Sequence, residues 1–154
     1  PLHPKVAEAV LPFLSAGTEL YGNPSSVHTL GQETRAAVEE ARAQVAKLIG
    51  AGLEEIIFTS CGSESDTTAI KGIAFSAKER NKGNHIITSA IEHKSVLDTC
   101  RSLEEEGFRV TYLPVNAEGL ISTVDLRAAI TAKTILISIM AAKIPRSMNL
   151  IRLS

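Results

Sequence analysis

From residue 55 onward the sequence alternates between two patterns. Short runs of β-forming, apolar residues recur at 54–60 (EEIIFTS), 84–89 (NHIITS), 108–114 (FRVTYLP) and 134–140 (TILISIM). Between them lie segments with apolar residues at helical spacing. These are Ser63 to Lys78 (Ile70, Ile73, Ala74, Ala77), Lys94 to Glu106 (Val96, Leu97, Cys100, Leu103) and Val124 to Ile130. Parallel strands cannot be joined by a tight turn and need a crossover, usually a helix. The alternation therefore predicts an α/β fold: a layered, mostly parallel sheet with helical crossovers. The strand runs are apolar at successive positions, as expected where helices cover both faces. Strand order is not contained in this pattern.

Upstream, Pro4 to Leu14 reads as a helix with Val6, Val10, Leu11 and Leu14 on one side. Pro4 suits a first turn, where its missing N–H would go unpaired anyway. Pro12 predicts that the helix ends or kinks nearby. The stretch GTELYGNPSSVH reads as a loop, with NPSS a turn leading into a helix cap. His28 to Ile49 is strongly helical, with Leu30, Thr34, Val38, Ala41, Val45 and Leu48 at spacings of three and four. Gly50 is a suitable stop.

Composition removes several function classes. The 154 residues suit one domain with a real core. A net charge of -1, 4% aromatics and no Trp leave neither a basic footprint nor a stacking surface for nucleic acid. No apolar run reaches the roughly 18 residues of a membrane span. The start, PLHPKVAEAV, is not a secretory signal and lacks an initiator Met, so the chain is expected to begin partway into a longer protein. Cys61 and Cys100 form no metal or redox spacing, and reduced thiols in a cytosolic-type protein are expected. No His stands at ligand spacing from a cysteine, so no metal site is expected.

In open α/β sheets ligands sit at the carboxyl ends of strands. After 54–60 comes Ser60-Cys61-Gly62-Ser63. Free N–H groups at a helix start attract anions, and Gly62 lets an anion approach the backbone while Ser63 offers a hydroxyl. Ser63-x-x-Asp66 also fits a helix cap, and Glu64 and Asp66 would repel a phosphate. The spacing is neither a P-loop nor a dinucleotide fingerprint. After 84–89 comes His93, at the same sheet edge as Gly62. It can stack on a ligand, act as an acid or base, or cap a helix. Glu92 beside it reads as a solvated charge. Cys61 reads either as a thiol activated by a helix start or as a small residue in a tight turn. His3, His28 and His85 have no evident partners in the sequence.

Taken together, YGNPSSVHTLG, AAVEEAR, EEIIFTSCGSESDTTAIKG, GNHIITSAIEHKSVLDTCRSLEEEGF and VTYLPVNAEGL resemble the N-terminal half of a cysteine desulfurase of the NifS/IscS type. Such enzymes have the class V aminotransferase fold and depend on pyridoxal phosphate. The resemblance implies that residues 1–140 are part of the large domain of a fold-type I pyridoxal-phosphate transferase, and that 141–154 form a tail unlike the family. It implies that Gly62 and Ser63 bind the cofactor phosphate and that His93 stacks on its pyridine ring. Cys61 stands where the family usually has Gly, as a crowded turn residue, and Thr67 where it commonly has Asn.

The Schiff-base Lys, the Asp facing the pyridinium, the nucleophilic Cys and the substrate-binding Arg are implied to lie outside this chain. None of Lys71, Lys94, Lys133 or Lys143 takes the Schiff-base place, so no catalytic residue is expected here. The implied activity of the whole enzyme converts L-cysteine to L-alanine and leaves the sulfur on a protein thiol, for iron–sulfur cluster or sulfur supply. Implied partners are cysteine, sulfur-acceptor or scaffold proteins and a second copy, with no nucleic acid and no membrane, in the cytoplasm or an organellar matrix. The alternative is a non-catalytic binding or scaffold domain that retains the fold.

Overall fold

The computed structural model describes residues 2–14 and 22–141. It divides into two compact units, Pro1–Phe58 and Thr59–Ser154.

The first unit holds α1 (Pro4–Leu14) and α2 (Thr29–Ile49). Helix α1 starts at Pro4 and stops two residues after Pro12. Its apolar side, Val6, Val10, Leu11 and Leu14, is exposed. The NPSS turn forms as expected: Asn23 Oδ1 accepts from the Ser25 amide at 2.9 Å, and the Ser26 amide donates to Asn23 O. His28 then caps α2, its Nδ1 accepting from the Gly31 amide at 3.2 Å. Gly50 closes the helix with φ 69°, a left-handed stop. The expected stripe of α2 is buried only at Thr34, and Leu48 is 84% exposed. An apolar hollow of about 620 Å³ lies in this unit, lined in part by Phe13, Val38 and Phe58.

The strand expected at 54–60 does not form. Leu53–Glu55 make a 3-10 turn, locked by the Gly52 amide donating to Glu55 Oε2 at 2.7 Å. Ile56 is extended, yet 56–58 pair with no strand among the described residues. A β-forming run becomes a strand only when a neighbouring strand takes its backbone groups; here the Ile56 amide instead donates to Leu53 O. The Arg42 guanidinium donates to the Ile56 carbonyl and lies 5.0 Å from the Phe58 ring centroid. Ile57 and Phe58 are left 72% and 49% exposed.

The second unit contains α3 (Gly62–Glu79), β1 (His85–Ser89), α4 (Lys94–Glu105), β2 (Arg109–Leu113), α5 (Thr123–Ala129) and β3 (Thr134–Ser138). The sheet is fully parallel with order β2-β1-β3. Ile86 sits opposite Val110 on one side and Leu136 on the other. Central β1 is buried at all five positions, whereas β2 and β3 are edges and only half-buried. Helices α3 and α4 pack on each other, α3 against β3 and α4 against β2. Their stripes meet Ile86: Ile70, Ala74, Val96, Cys100, Leu103 and Phe108 form one core. Full burial of a leucine such as Leu103 stabilises by about 1.5–3 kcal/mol. Ile73, expected on the inner stripe, is exposed. Cys100 is a buried free thiol, pushed up to about 11 by burial, as suits an inert packing residue.

His85 lies in the sheet with a partner on each neighbouring strand. Its Nδ1 is 2.8 Å from Thr134 Oγ1 and its Nε2 is 2.8 Å from Thr111 Oγ1. Burial, and next the Arg109 charge, holds its pKa below the ordinary value. A lowered folded value means that the unfolded chain takes up this proton first as the pH falls. The contribution of neutral His85 is therefore present above about pH 6.5 and is lost below it, with a slope of up to about 1.4 kcal/mol per pH unit. Urea titrations between pH 7.5 and 5 should show this loss, and His85→Gln should flatten it. An equally steep profile in the variant would assign the loss to other groups.

Candidate functional site

Two helix starts converge at one cleft. Helix α3 begins two residues earlier than its cap pattern predicts. Cys61 is the N-cap, with extended backbone at φ -162°, and Ser63 is already the second helical residue. Ser63 therefore does not act as the cap, and its hydroxyl has no partner among the described residues. The amides of Gly62, Ser63 and Glu64 also have no backbone acceptor there; the first to bond back is Ser65, to Cys61 O at 3.1 Å. A Cβ placed on Gly62 would meet nothing within 4 Å, so the approach to these amides is open.

The acidic residues of this turn are occupied. Glu64 Oε2 accepts from the Ser60 hydroxyl at 2.6 Å and from its amide at 2.7 Å. The Ser60 hydroxyl bond, and then the amide bond, hold the Glu64 carboxyl below its usual range. Cys61 is exposed rather than a crowded turn residue. The Glu64 amide, and next the Ser60 hydroxyl, draw its thiol below the ordinary value. This is the helix-start effect weighed for it above.

At the end of β1 the chain turns through Glu92 and His93 into α4. Glu92 is not a solvated charge. It is 6% exposed, and its Oε1 accepts from Ser89 Oγ at 2.8 Å and from the Met140 amide at 2.7 Å. The turn after β1 is thereby clamped to the segment that follows β3. His93, next in sequence, takes the N-cap place of α4 and is exposed. Its Nδ1 lies 2.7 Å from Ser95 Oγ and 3.2 Å from the Ser95 amide. Ser95 Oγ in turn donates to Asp66 Oδ2 at 2.5 Å, and Thr67 Oγ1 meets Thr99 Oγ1 at 3.1 Å. These two links hold the first turns of α3 and α4 together.

Between them lies a polar cleft of about 470 Å³, lined by Ser63, Thr67 and Lys71 of α3 and by His93, Lys94 and Ser95 among others. Ser63 and His93 thus share one cavity; Gly62, the residue before Ser63, is not in its wall. A larger hollow of about 570 Å³ beside β3 has Ile73, Arg80 and Ile135 in its wall and no open helix start. The polar cleft is the chemically equipped one. Sequence reasoning missed Thr67, Lys71, Ser95 and Asp66 as members of the site. A polar row at 63, 67 and 71, one helical turn apart, was the signal available for α3. The Asp66–Ser95 contact spans 29 residues and had none.

The aminotransferase class-V family model matches residues 2–143. The chain is 55% identical over 142 residues to the cysteine desulfurase IscS of Dictyoglomus turgidum, covering 92% of this chain and 35% of that protein. It is 54% identical over 143 residues to the mitochondrial cysteine desulfurase of Drosophila melanogaster, covering 91% and 29%. Among solved structures, a NifS-like protein superposes with TM-score 0.81 at 39% identity, covering 92% of this chain and 38% of that one. SspA in complex with cysteine gives 0.77 at 42%, covering 90% and 39%. The chain spans about a third of the length of the curated relatives it matches.

Proposed function

We propose that this chain, which belongs to the aminotransferase class-V family, supplies the cofactor-phosphate part of a pyridoxal-phosphate-dependent cysteine desulfurase. The whole protein would convert L-cysteine to L-alanine and pass the sulfur to a protein thiol for iron–sulfur cluster or sulfur supply. The carrying observation is the shared cleft: Ser63, in the first turn of α3, lines the same cavity as His93, and the amides of that turn have no backbone acceptor among the described residues.

The residues present fit the cofactor. Amides without a backbone acceptor and the dipole of an 18-residue helix favour an anion at Gly62 and Ser63. The free Ser63 hydroxyl adds a donor, and Lys71 adds positive charge to the wall. Glu64, in the first turn of α3, is turned onto Ser60, and Asp98 in the cleft wall is paired with Lys94 and Arg101. His93 offers a flat ring at the other side of the cavity. When bound, pyridoxal phosphate supplies an electron sink for the amino-acid substrate. This chain's residues would bind and orient it. The large-domain extent 1–140, a sulfur-acceptor partner, a homodimer and a cytoplasmic or organellar-matrix setting belong to the same proposal. No helix among the described residues is long and apolar enough to cross a membrane.

Titrating the purified chain with pyridoxal phosphate, followed by absorbance, should give saturable micromolar binding that inorganic phosphate competes away. Ser63→Ala should weaken it about tenfold, as expected for loss of a hydrogen bond to a charged group. Absence of saturable binding would defeat the cofactor reading and favour a domain that keeps the fold without the chemistry.

A further inference from the structure

The geometry points to Asp66 and Ser95 as positioning residues that fix the proton of His93 on Nδ1 and leave Nε2 bare toward the cleft. The argument is a count of hydrogens. An ionised carboxylate only accepts, so the hydrogen between Ser95 Oγ and Asp66 Oδ2, 2.5 Å apart, comes from the serine. The serine has one hydrogen and has spent it. The 2.7 Å contact between Ser95 Oγ and His93 Nδ1 still needs one, and only the ring can provide it. The proton therefore sits on Nδ1. The Ser95 amide also points at this nitrogen, at 3.2 Å, and would donate to it if it were bare; the two contacts compete, and the shorter pair of 2.5 and 2.7 Å, one of them to a carboxylate, outweighs the single longer amide bond.

The order Asp66 ← Ser95 ← His93 runs in one direction, and the carboxylate sets that direction. Nε2 meets no partner among the described residues, and His93 lines the cleft. The ring presents an acceptor there rather than a donor. Its use toward a bound cofactor or amino acid rests on the function proposed above. The proton assignment does not.

A built-in control lies elsewhere in the chain. His28 is also a helix N-cap, but its Nδ1 accepts from the Gly31 amide with no serine and no carboxylate behind it among the described residues. Neutral His28 must therefore carry its proton on Nε2. Two histidines at the same capping position are thus expected in opposite tautomers.

Long-range proton–nitrogen NMR of the full chain without cofactor, at a pH where the rings are neutral, reads which nitrogen is protonated. His93 should show Nδ1–H and His28 Nε2–H. Asp66→Ala frees the serine hydroxyl to donate to Nδ1 and should switch His93 to Nε2–H as the majority form. Ser95→Ala should do the same, leaving only the backbone amide on Nδ1, and Ser95→Thr should restore Nδ1–H. Far-UV melting checks that each variant is folded, and the wild-type spectrum decides the matter even where one is not. Nε2–H on His93 in the wild type, or an unchanged tautomer in a folded Asp66→Ala, would overturn the assignment. Because no cofactor is present, this outcome is separate from whether the cleft binds pyridoxal phosphate.

Discussion

Glu92→Ala is expected to lower the unfolding free energy of the chain by about 2–4 kcal/mol, read by urea titration. One carboxylate oxygen serves two donors, Ser89 Oγ and the Met140 amide. Truncation leaves both without their acceptor in a buried place, and each orphaned group costs about 1–3 kcal/mol. Glu92→Gln keeps an acceptor oxygen at the same reach and should lose less than half as much. If alanine and glutamine cost the same, the charge rather than the acceptor would be the stabilising feature. If alanine cost nothing, the clamp between the end of β1 and the segment after β3 would not hold. The clamp also bears on the site, because His93 is the next residue. Loosening of the turn should appear in the NMR shifts of His93 before global unfolding.

Gly83→Ala is expected to cost at least about 3 kcal/mol and to reduce folded yield. Gly83 precedes β1 with φ 140°, a conformation L side chains rarely adopt. A Cβ there would stand 2.4 Å from the Lys133 carbonyl oxygen. That oxygen cannot give way cheaply, because it accepts from the His85 amide at 2.9 Å where β1 meets the approach to β3. Gly62→Ala is the contrasting substitution. Its Cβ meets open space, so stability should stay within about 0.5 kcal/mol. Pyridoxal-phosphate affinity should fall if an anion sits against that backbone. Equal destabilisation by the two changes would contradict the local geometry of both.

Much of the fold was legible. Helices expected from 28, 63, 94 and 124 begin within a residue of those positions, at Thr29, Gly62, Lys94 and Thr123. Strands expected at 84, 108 and 134 begin at His85, Arg109 and Thr134. The failures share a cause. EEIIFTS has the composition of a strand, but a strand also needs a neighbour, which composition does not supply. Glu92 has the charge of a surface residue, but two donors brought in by the turn and by the end of β3 make burial tolerable. His85 had no partner in sequence because its partners are 26 and 49 residues away, on both adjacent strands. In the candidate site, His93 was readable as a strand-end residue, whereas Gly62 and Ser63 were expected at the end of a strand that does not form and stand instead at the start of α3. The Ser95 and Asp66 support behind His93 was not.

The sequence by itself determined the local elements and the α/β class. Helical spacing, stop glycines and β-forming runs act within a few residues and need nothing distant. Only the tertiary structure decided the order β2-β1-β3, the inward turn of Glu92 and the meeting of Asp66 with Ser95. Each of these depends on which groups far apart in the chain share a buried or hydrogen-bonded place. The free energy of that sharing belongs to the pair and cannot be read from either residue alone.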